Sequence, residues 1–162
     1  MSTGGELVAR YAVAGEIDRL RIPARGERLD PDRLWAHTCC ELFVAPASGD
    51  GYLEWNFSPT GQVARFEFSA YRTRSSSPGA STVVGDSTVS VHDRELRLEA
   101  RVPLPPHLGD TARIALTAVL EDASGTLSYW ALRHPCDRPD FHRLEGFVLA
   151  LTMGPPIEIV HE

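Results

Sequence analysis

Short runs of alternating apolar and polar residues, separated by turns rich in glycine, proline, aspartate and serine, recur along the whole of this sequence. Few stretches show the apolar period of an α-helix over three turns. Short strands at regular spacing, with turn signals between them, are typical of β-sandwiches and barrels. We therefore predict an all-β fold with little helix.

The predicted strands are distributed evenly along the chain. They cover residues 6–13, 16–22, 38–44, 52–57, 62–71, 82–84, 88–92, 95–102, 112–121, 126–132, 147–152 and 157–160. One helical turn is predicted at residues 31–35. The chain of 162 residues contains no internal repeat and no linker, so we expect one domain over residues 1–162.

The clearest predicted hairpin joins two of these strands through Ser58-Pro59-Thr60-Gly61, whose proline and glycine suit a type I turn. A plain two-residue loop would place Trp55 on the same face as Phe66. It would also set Glu54 opposite Arg65. A type I turn with a glycine bulge would shift the pairing by one residue. The turn chemistry favours the bulge, but the apolar pattern favours the plain loop, which we expect.

Composition and charge exclude several classes of partner. The formal net charge is −6, which argues against a nucleic-acid-binding surface. No apolar stretch approaches the length of a membrane span, and no basic start precedes an apolar run as in a signal peptide. Three cysteines do not make a disulfide framework. Free thiols fit a reducing compartment, so we expect a cytoplasmic protein that binds neither nucleic acid nor membrane.

Residues 127–147, LSYWALRHPCDRPDFHRLEGF, concentrate the chemically distinctive side chains of the chain. The segment begins as a strand and then breaks into a polar loop. Pro135 and Pro139 fix their own φ and push the preceding residues, His134 and Arg138, towards extended backbone. A loop stiffened in this way holds its side chains in place, as loops that carry function do.

This loop contains candidate ligands for a metal ion or a haem. His134 and His142, with Cys136 between them, have the chemistry of zinc ligands, but their spacing matches no standard zinc signature. We assign no metal and expect these histidines to hydrogen-bond backbone. Two histidines, or one with Met153, would serve as axial haem ligands. No C-x-x-C-H attachment motif is present, so haem is an alternative and not an assigned cofactor.

Nucleophilic catalysis has one candidate arrangement. Cys39 or Cys40 near His37 would supply a thiolate and a base. Cys40, however, alternates with Leu42 and Val44, which is the pattern of a buried, inert cysteine. We therefore assign no catalytic residue, and an enzyme that uses His, Cys and Glu residues of one pocket is the second alternative.

A polar, sugar-like ligand would need aromatic faces and hydrogen-bonding groups. Flat aromatic faces are offered by Trp35, Tyr52, Trp55, Tyr71, Tyr129 and Trp130. Hydrogen-bonding groups are offered by Glu41, Glu54, Asn56, Arg65 and Arg133. We expect Trp55 in the core. The polar face of strand 52–57 is more typical of a solvated sheet face.

Two segments resemble DOMON-like domains, whose superfamily also contains the family 9-like carbohydrate-binding modules. Residues 34–61, LWAHTCCELFVAPASGDGYLEWNFSPTG, resemble the pattern W-x-x-(D/T)-x-x-E-x-F-(V/I) followed by Y-x-x-(F/W)-x-x-(S/N)-P-x-G. Residues 127–149 resemble the C-terminal part, where a tryptophan-containing strand is followed by H-P…P-D-F-H and a G-F strand. The chain looks most like the small stand-alone bacterial DOMON-like proteins.

The resemblance implies a two-sheet antiparallel β-sandwich of the immunoglobulin-like or jelly-roll type, with about nine to eleven strands. It also implies a haem or a sugar bound at one end or on a concave face. Family cytochromes use methionine and histidine as axial ligands, and family sugar modules clamp the sugar between two tryptophans.

From the residues and the resemblance together, we expect non-catalytic binding of a small polar, sugar-like ligand by a monomer or homodimer. The alternative is haem binding with histidine axial ligation. Trp35 or Trp130 would stack on the ligand, Arg133 would meet hydroxyls or an anion, and the histidines would orient it. The expected ligand-binding residues are Trp35, His37, Glu41, Glu54, Asn56, Trp130, Arg133, His134 and His142.

Overall fold

The computed structural model describes residues 5–75, 81–82 and 86–152. The strands are β1 (Glu6–Ala14), β2 (Cys39–Pro46), β3 (Tyr52–Phe57), β4 (Val63–Ala70), β5 (Thr73–Arg74), β6 (Ser81–Thr82), β7 (Asp86–His92), β8 (Glu95–Pro103), β9 (Thr111–Glu121), β10 (Leu127–Ala131) and β11 (Leu149–Thr152). Short 3-10 helices span Ile17–Arg19, Pro31–Ala36, Pro106–Leu108 and Leu144–Gly146.

The strands form two antiparallel sheets, which confirms the predicted all-β sandwich. The small sheet has the order β1-β8-β7. The large sheet has the order β10-β9-β2-β3-β4-β5, with β11 also paired to β9 and β6 to β4. Pairing of β2 with the distant strand β9 places β2 and β3 in the middle of the large sheet.

The sandwich core lies between the small sheet and one face of the large sheet, which we call the inner face. Leu42, Val44 and Trp55 of the large sheet join Leu98 and Val102 of the small sheet in one apolar cluster. Trp55 is fully buried, as expected, and its replacement by alanine should cost about 3–5 kcal/mol.

The opposite face of the large sheet, which we call the outer face, is buried as well. Its apolar cluster includes Leu34 from the 3-10 helix Pro31–Ala36 and Phe147 from the segment between β10 and β11. Every residue of β3 is buried, so the expectation that the polar side chains of this strand face solvent is wrong. An antiparallel sheet commonly has one solvated face, but here the helix and the segment cover it.

The predicted strand at residues 16–22 is wrong. The chain instead forms the 3-10 helix Ile17–Arg19, followed by an isolated bridge from Leu20 to Asp122. The apolar residues Ile17 and Leu20 are three positions apart, which is the period of a 3-10 helix and not of a strand.

The expected register of the hairpin between β3 and β4 is also wrong. Glu54 pairs with Phe66, and Trp55 pairs with Arg65. Gly61 has a φ of +92° and forms the bulge that shifts the pairing by one residue. The turn chemistry was therefore the better guide. The apolar pattern misled because both faces of the large sheet are buried.

Part of the expected structure lies outside the described residues, namely the strand at 157–160, residues 83–84 and Met153. Ser81–Thr82, at the start of the predicted strand 82–84, pairs with β4. None of the helices in the described ranges is long and apolar enough to cross a membrane.

Candidate functional site

A cavity of about 640 Å³ opens on the outer face of the large sheet. This volume lies within the usual range for small-molecule sites. Side chains from β2, β3, β4, β5, β9 and β10 meet there with the 3-10 helix Pro31–Ala36 and the loop between β10 and β11. The lining residues are Trp35, Glu41, Glu54, Phe68, Arg72, Arg74, Val119, Tyr129, Pro139, Phe141 and His142.

Two buried carboxyl groups, those of Glu41 and Glu54, form the floor of the cavity. Their positions follow from the strand register, in which Glu41 of β2 pairs with Asn56 and Glu54 of β3 pairs with Phe43. The two glutamates are therefore diagonal neighbours on one face, close enough for their side chains to interact. Glu41 is 3% exposed and Glu54 is 5% exposed.

Both floor carboxyls hold protons more strongly than an exposed glutamate does. Burial raises the pKa of Glu41 well above its ordinary value, and the nearby Glu54 raises it further. Burial also raises the pKa of Glu54 to about 7, although the Asn56 amide and the charges of Arg74 and Arg72 oppose the shift. The floor therefore offers hydroxyl donors as well as carboxylate acceptors near neutral pH.

Few protein groups contact these carboxyls. Asn56 donates from Nδ2 to Glu54 Oε1 at 2.8 Å, and Thr117 donates to Glu41 Oε2 at 3.5 Å. The Oδ1 atom of Asn56 is buried and has no hydrogen-bond partner. Since buried polar atoms usually have a partner, this oxygen marks a place where a donor is missing.

His142 forms part of the cavity wall and is held by Tyr52. The Tyr52 hydroxyl accepts a hydrogen bond from the Arg72 backbone N–H at 3.1 Å and lies 2.7 Å from His142 Nδ1. We expect the hydroxyl to donate its own proton to Nδ1, which would leave the ring proton on Nε2. Nε2 lies 3.9 Å from Glu54 Oε2. Burial, followed by the charge of Arg72, lowers the pKa of His142 to about 4, so the ring is neutral.

Asp140 fixes the loop between β10 and β11 over the cavity. It accepts hydrogen bonds from the Tyr71 hydroxyl at 2.6 Å, from Arg72 Nη2 at 2.9 Å and from the His142 backbone N–H at 3.2 Å. Burial alone would raise the pKa of Asp140, but the hydrogen bonds from Tyr71 and Arg72 hold it below its ordinary value. Arg72 itself has a φ of +51°, which is uncommon for a residue other than glycine.

Two exposed aromatic rings stand among the lining residues. Trp35, at the end of the 3-10 helix Pro31–Ala36, donates from Nε1 to the Asp32 carbonyl at 3.1 Å and is 43% exposed. Tyr129 of β10 is 41% exposed and contacts Phe141 edge to face, with ring centroids 6.0 Å apart. Exposed rings beside a cavity provide flat apolar surface for a ligand.

The structure brings together four of the expected ligand-binding residues, which are Trp35, Glu41, Glu54 and His142. Asn56 adjoins them through Glu54 but does not line the cavity. His37 lies outside the lining, and its Nδ1 is 2.8 Å from Glu121 Oε2.

The other three expected residues also lie outside the cavity lining. Trp130 alternates with Tyr129 along β10, so its side chain is on the other face of the sheet, where it is 61% exposed. Arg133 is exposed. His134 is exposed as well, and its ring lies 6.1 Å from the Phe141 ring.

Sequence reasoning missed several lining residues. They are Phe68, Arg72, Arg74, Val119, Pro139 and Phe141. A prediction based on the bulged register of the hairpin would have placed Phe68 on the same face as Glu54, as the structure does. Arg72 and Arg74 enter through the turn and short strand after β4, for which the sequence carries no distinct signal.

The cysteines next to this site are not activated nucleophiles. Cys39 and Cys40 are both buried, and burial raises the pKa of each thiol, to about 12 for Cys40. A buried neutral thiol is a poor nucleophile. The alternation that indicated a buried Cys40 is confirmed.

No model of a protein family matches the chain, and no curated protein is significantly similar to it. Among solved structures, the chain is similar to the crystal structure of a proposed carbohydrate-binding protein from Bacteroides uniformis ATCC 8492. The similarity covers 92% of this chain and 73% of the other, with a TM-score of 0.64 and 19% sequence identity. At this identity the likeness shows a shared fold, and membership of the DOMON-like superfamily stays a prediction.

Proposed function

We propose that this protein binds a small polar, hydroxyl-rich ligand of the sugar class in the cavity on the outer face, without transforming it. One observation carries the proposal. Exposed rings of Trp35 and Tyr129 stand beside a floor made by the buried carboxyls of Glu41 and Glu54, within one cavity of about 640 Å³.

This combination of aromatic rings and carboxyls suits a sugar because a sugar has both apolar faces and polar hydroxyl groups. The C–H faces of a pyranose ring stack on aromatic rings, while its hydroxyls both donate and accept hydrogen bonds. A pair of carboxyls that holds a proton also donates and accepts hydrogen bonds. The likeness to a proposed carbohydrate-binding protein supports the same class of ligand.

Binding without chemistry is favoured by the partners of the histidines and thiols. His37 binds a carboxylate and His142 binds a phenol, so neither activates a cysteine or serine. The pKa of His142, at about 4, is also too low for an effective base near neutral pH. The groups that would carry acid–base chemistry are Glu41 and Glu54. Mass spectrometry of the ligand after incubation tests this, since a cleaved ligand would establish an enzyme.

Haem binding receives less support from the same cavity. His142 Nδ1 is bonded to the Tyr52 hydroxyl and Nε2 lies 3.9 Å from Glu54 Oε2, so an iron at either nitrogen would compete with one of these groups. His134 lies on the exposed surface beside Phe141. The absorption spectrum of haem-supplemented protein tests this alternative, since a shifted Soret band would favour haem.

We further propose a cytoplasmic location and a monomeric or homodimeric state. The free thiols of Cys39, Cys40 and Cys136 support a reducing compartment. β10 stands at one end of the strand order of the large sheet and offers an edge for pairing of two copies. Cell fractionation and light scattering test the two statements.

The function is tested by calorimetric titration of the wild-type protein with a panel of mono- and oligosaccharides. We expect binding by at least one member, and an affinity about tenfold weaker in Trp35→Ala, because the stacking surface is lost. Trp35→Phe is the matched control, since it keeps a ring and should retain most of the affinity. Absence of binding across the panel would contradict the proposal.

A further inference from the structure

We infer that the ligand carries a cationic amine and that the carboxyl floor of the cavity is the subsite for this group. The inference rests on the proposed function, since it assumes a hydroxyl-rich ligand in this cavity. It narrows the ligand class from neutral sugars to amino sugars or amino polyols.

Among the described residues, neither carboxyl of the floor is paired with a cationic side chain. Glu41 contacts Thr117, and Glu54 contacts the Asn56 amide and the neutral ring of His142. Within the described ranges, no arginine lies at ion-pair distance from either carboxyl, and the chain has no lysine. Buried carboxylates are normally paired with a cation, or else they stay protonated. An ammonium group in the cavity would supply the cation.

The two arginines that line the cavity are both paired with aspartates. Arg72 forms an ion pair with Asp140 at 2.9 Å, and Arg74 forms one with Asp32 at 3.3 Å. Each of these cations thus has a carboxylate of its own. The acidic groups that lack such a direct partner are those of the floor, so the cavity is complementary to a positive charge.

Aromatic rings surround the floor of the cavity. The cavity is lined by four aromatic rings, those of Trp35, Phe68, Tyr129 and Phe141. The faces of aromatic rings attract cations, and several rings around an acidic group are a recurrent way to bind ammonium ions. A neutral hydroxyl would gain the hydrogen bonds of the floor but not this attraction.

The Oδ1 atom of Asn56, next to the floor, has no hydrogen-bond partner. This atom is fully buried on the outer face, directly opposite Glu41 and bonded through its own amide to Glu54. The floor itself has two acceptor groups, the carboxyls of Glu41 and Glu54, and this amide oxygen lies beside it, whereas the donors to the two carboxyls are the Asn56 amide and the Thr117 hydroxyl. An ammonium group is all donor, with three N–H bonds, so its chemistry matches this deficit.

The experiment compares three β-1,4-linked disaccharides that differ at the C2 substituents. Cellobiose carries hydroxyls, N,N′-diacetylchitobiose carries neutral amides, and the glucosamine disaccharide carries ammonium groups. Each is titrated calorimetrically into wild-type protein at neutral pH. We expect the glucosamine disaccharide to bind at least about tenfold more tightly than cellobiose, which corresponds to about 1.4 kcal/mol.

Two matched variants locate the preference. Glu54→Gln removes one floor carboxyl while keeping its size, and should bring the affinity for the glucosamine disaccharide close to that for cellobiose. Glu67→Gln removes the same charge from the exposed Glu67 on β4, which pairs with Leu53 and so faces away from the cavity, and should leave the preference unchanged. Thermal unfolding confirms that each variant is folded.

The outcomes separate the inference from the proposed function. If cellobiose or the diacetyl compound binds as tightly as the glucosamine disaccharide, the inference is overturned and the proposed function stands. If none of the three binds, and no neutral or amino monosaccharide does, both are overturned. A preference that survives in Glu54→Gln overturns the assignment of the subsite.

Discussion

The Tyr52 hydroxyl lies 2.7 Å from His142 Nδ1 and joins a central strand of the large sheet to the loop that covers it. The same hydroxyl accepts the Arg72 backbone N–H, and we expect it to donate its own proton to the imidazole. Burial and the charge of Arg72 keep the ring neutral, and in the expected tautomer its Nε2–H is directed towards Glu54. This bond places the histidine of the loop against the carboxyl floor.

Replacement of Tyr52 by phenylalanine should remove the donor and leave the Nδ1 acceptor buried without a partner. We expect a loss of unfolding free energy of about 1–3 kcal/mol. Nitrogen-15 NMR of His142 provides a direct check, since the wild-type ring should be the Nε2–H tautomer. A wild-type ring protonated on Nδ1 would contradict this hydrogen-bond assignment.

Asp140→Asn should loosen the loop over the cavity. Asp140 accepts from Tyr71, Arg72 and the His142 backbone, and its side chain is 12% exposed. Loss of its charge weakens these bonds, and we expect about 1–3 kcal/mol less stability together with weaker ligand binding. Asp137→Asn, at an exposed position of the same loop, is the control and should change little. Equal melting temperatures for the two variants would argue against the role of Asp140.

Glu54→Gln should change how stability depends on pH. The folded-state pKa of Glu54 is raised to about 7 from 4.5, so the folded protein keeps a proton that the unfolded chain releases. The retained proton stabilises the folded protein fully below about pH 4.5. This stabilisation is lost as the pH rises through about 7, by an amount on the order of 3 kcal/mol. Glutamine does not titrate, so this loss should be absent in the variant.

Urea unfolding of the wild type and of Glu54→Gln at a series of pH values measures the difference between them. The comparison also removes the opposite effect of His142, whose lowered pKa reduces stability as the pH falls from 6.5 to about 4. Parallel curves for the two proteins would show that the pKa of Glu54 is the same in the folded and the unfolded protein, which would contradict the raised pKa.

Gly61→Ala tests the register of the hairpin that positions Glu54. Gly61 has a φ of +92°, where a residue with a Cβ atom is strained. We expect the substitution to cost about 1 kcal/mol or more. Gly5→Ala, at a glycine whose added Cβ meets nothing within 4 Å, should cost less than about 0.5 kcal/mol. Equal costs would favour the plain two-residue loop.

The sequence was a good guide to the strands because their apolar alternation is local. It was a poor guide to the faces of the large sheet, since both faces are buried and Phe66 and Phe68 belong to the outer cluster. A pattern that assumes one apolar face cannot assign such a strand. The register of the hairpin was indicated by the turn residue Gly61 and not by the apolar alternation.

The candidate site was predicted only in part, because local sequence patterns do not assign side chains to the faces of the large sheet. Trp35, Glu41, Glu54 and His142 were identified from residue type and resemblance, and all four line the cavity. On β10, Tyr129 and Trp130 are adjacent aromatic residues, and only pairing with β9 decides which of them faces Glu41.

Arg72 could not have been found by pattern. It reaches the cavity from a turn, with a φ of +51° that is unusual for arginine. Its position depends on Asp140, which is distant in sequence and contacts it only in the folded protein. Contacts of this kind are set by tertiary structure.

The affinity of Tyr129→Ala compared with that of Trp130→Ala, for the tightest-binding sugar, tests the central claim most directly. The two residues are neighbours on β10, but Tyr129 lines the cavity and the more exposed Trp130 is on the other face. If the cavity on the outer face binds the ligand, Tyr129→Ala weakens binding by about tenfold and Trp130→Ala leaves it unchanged. Loss of binding in Trp130→Ala with full binding in Tyr129→Ala would contradict the account.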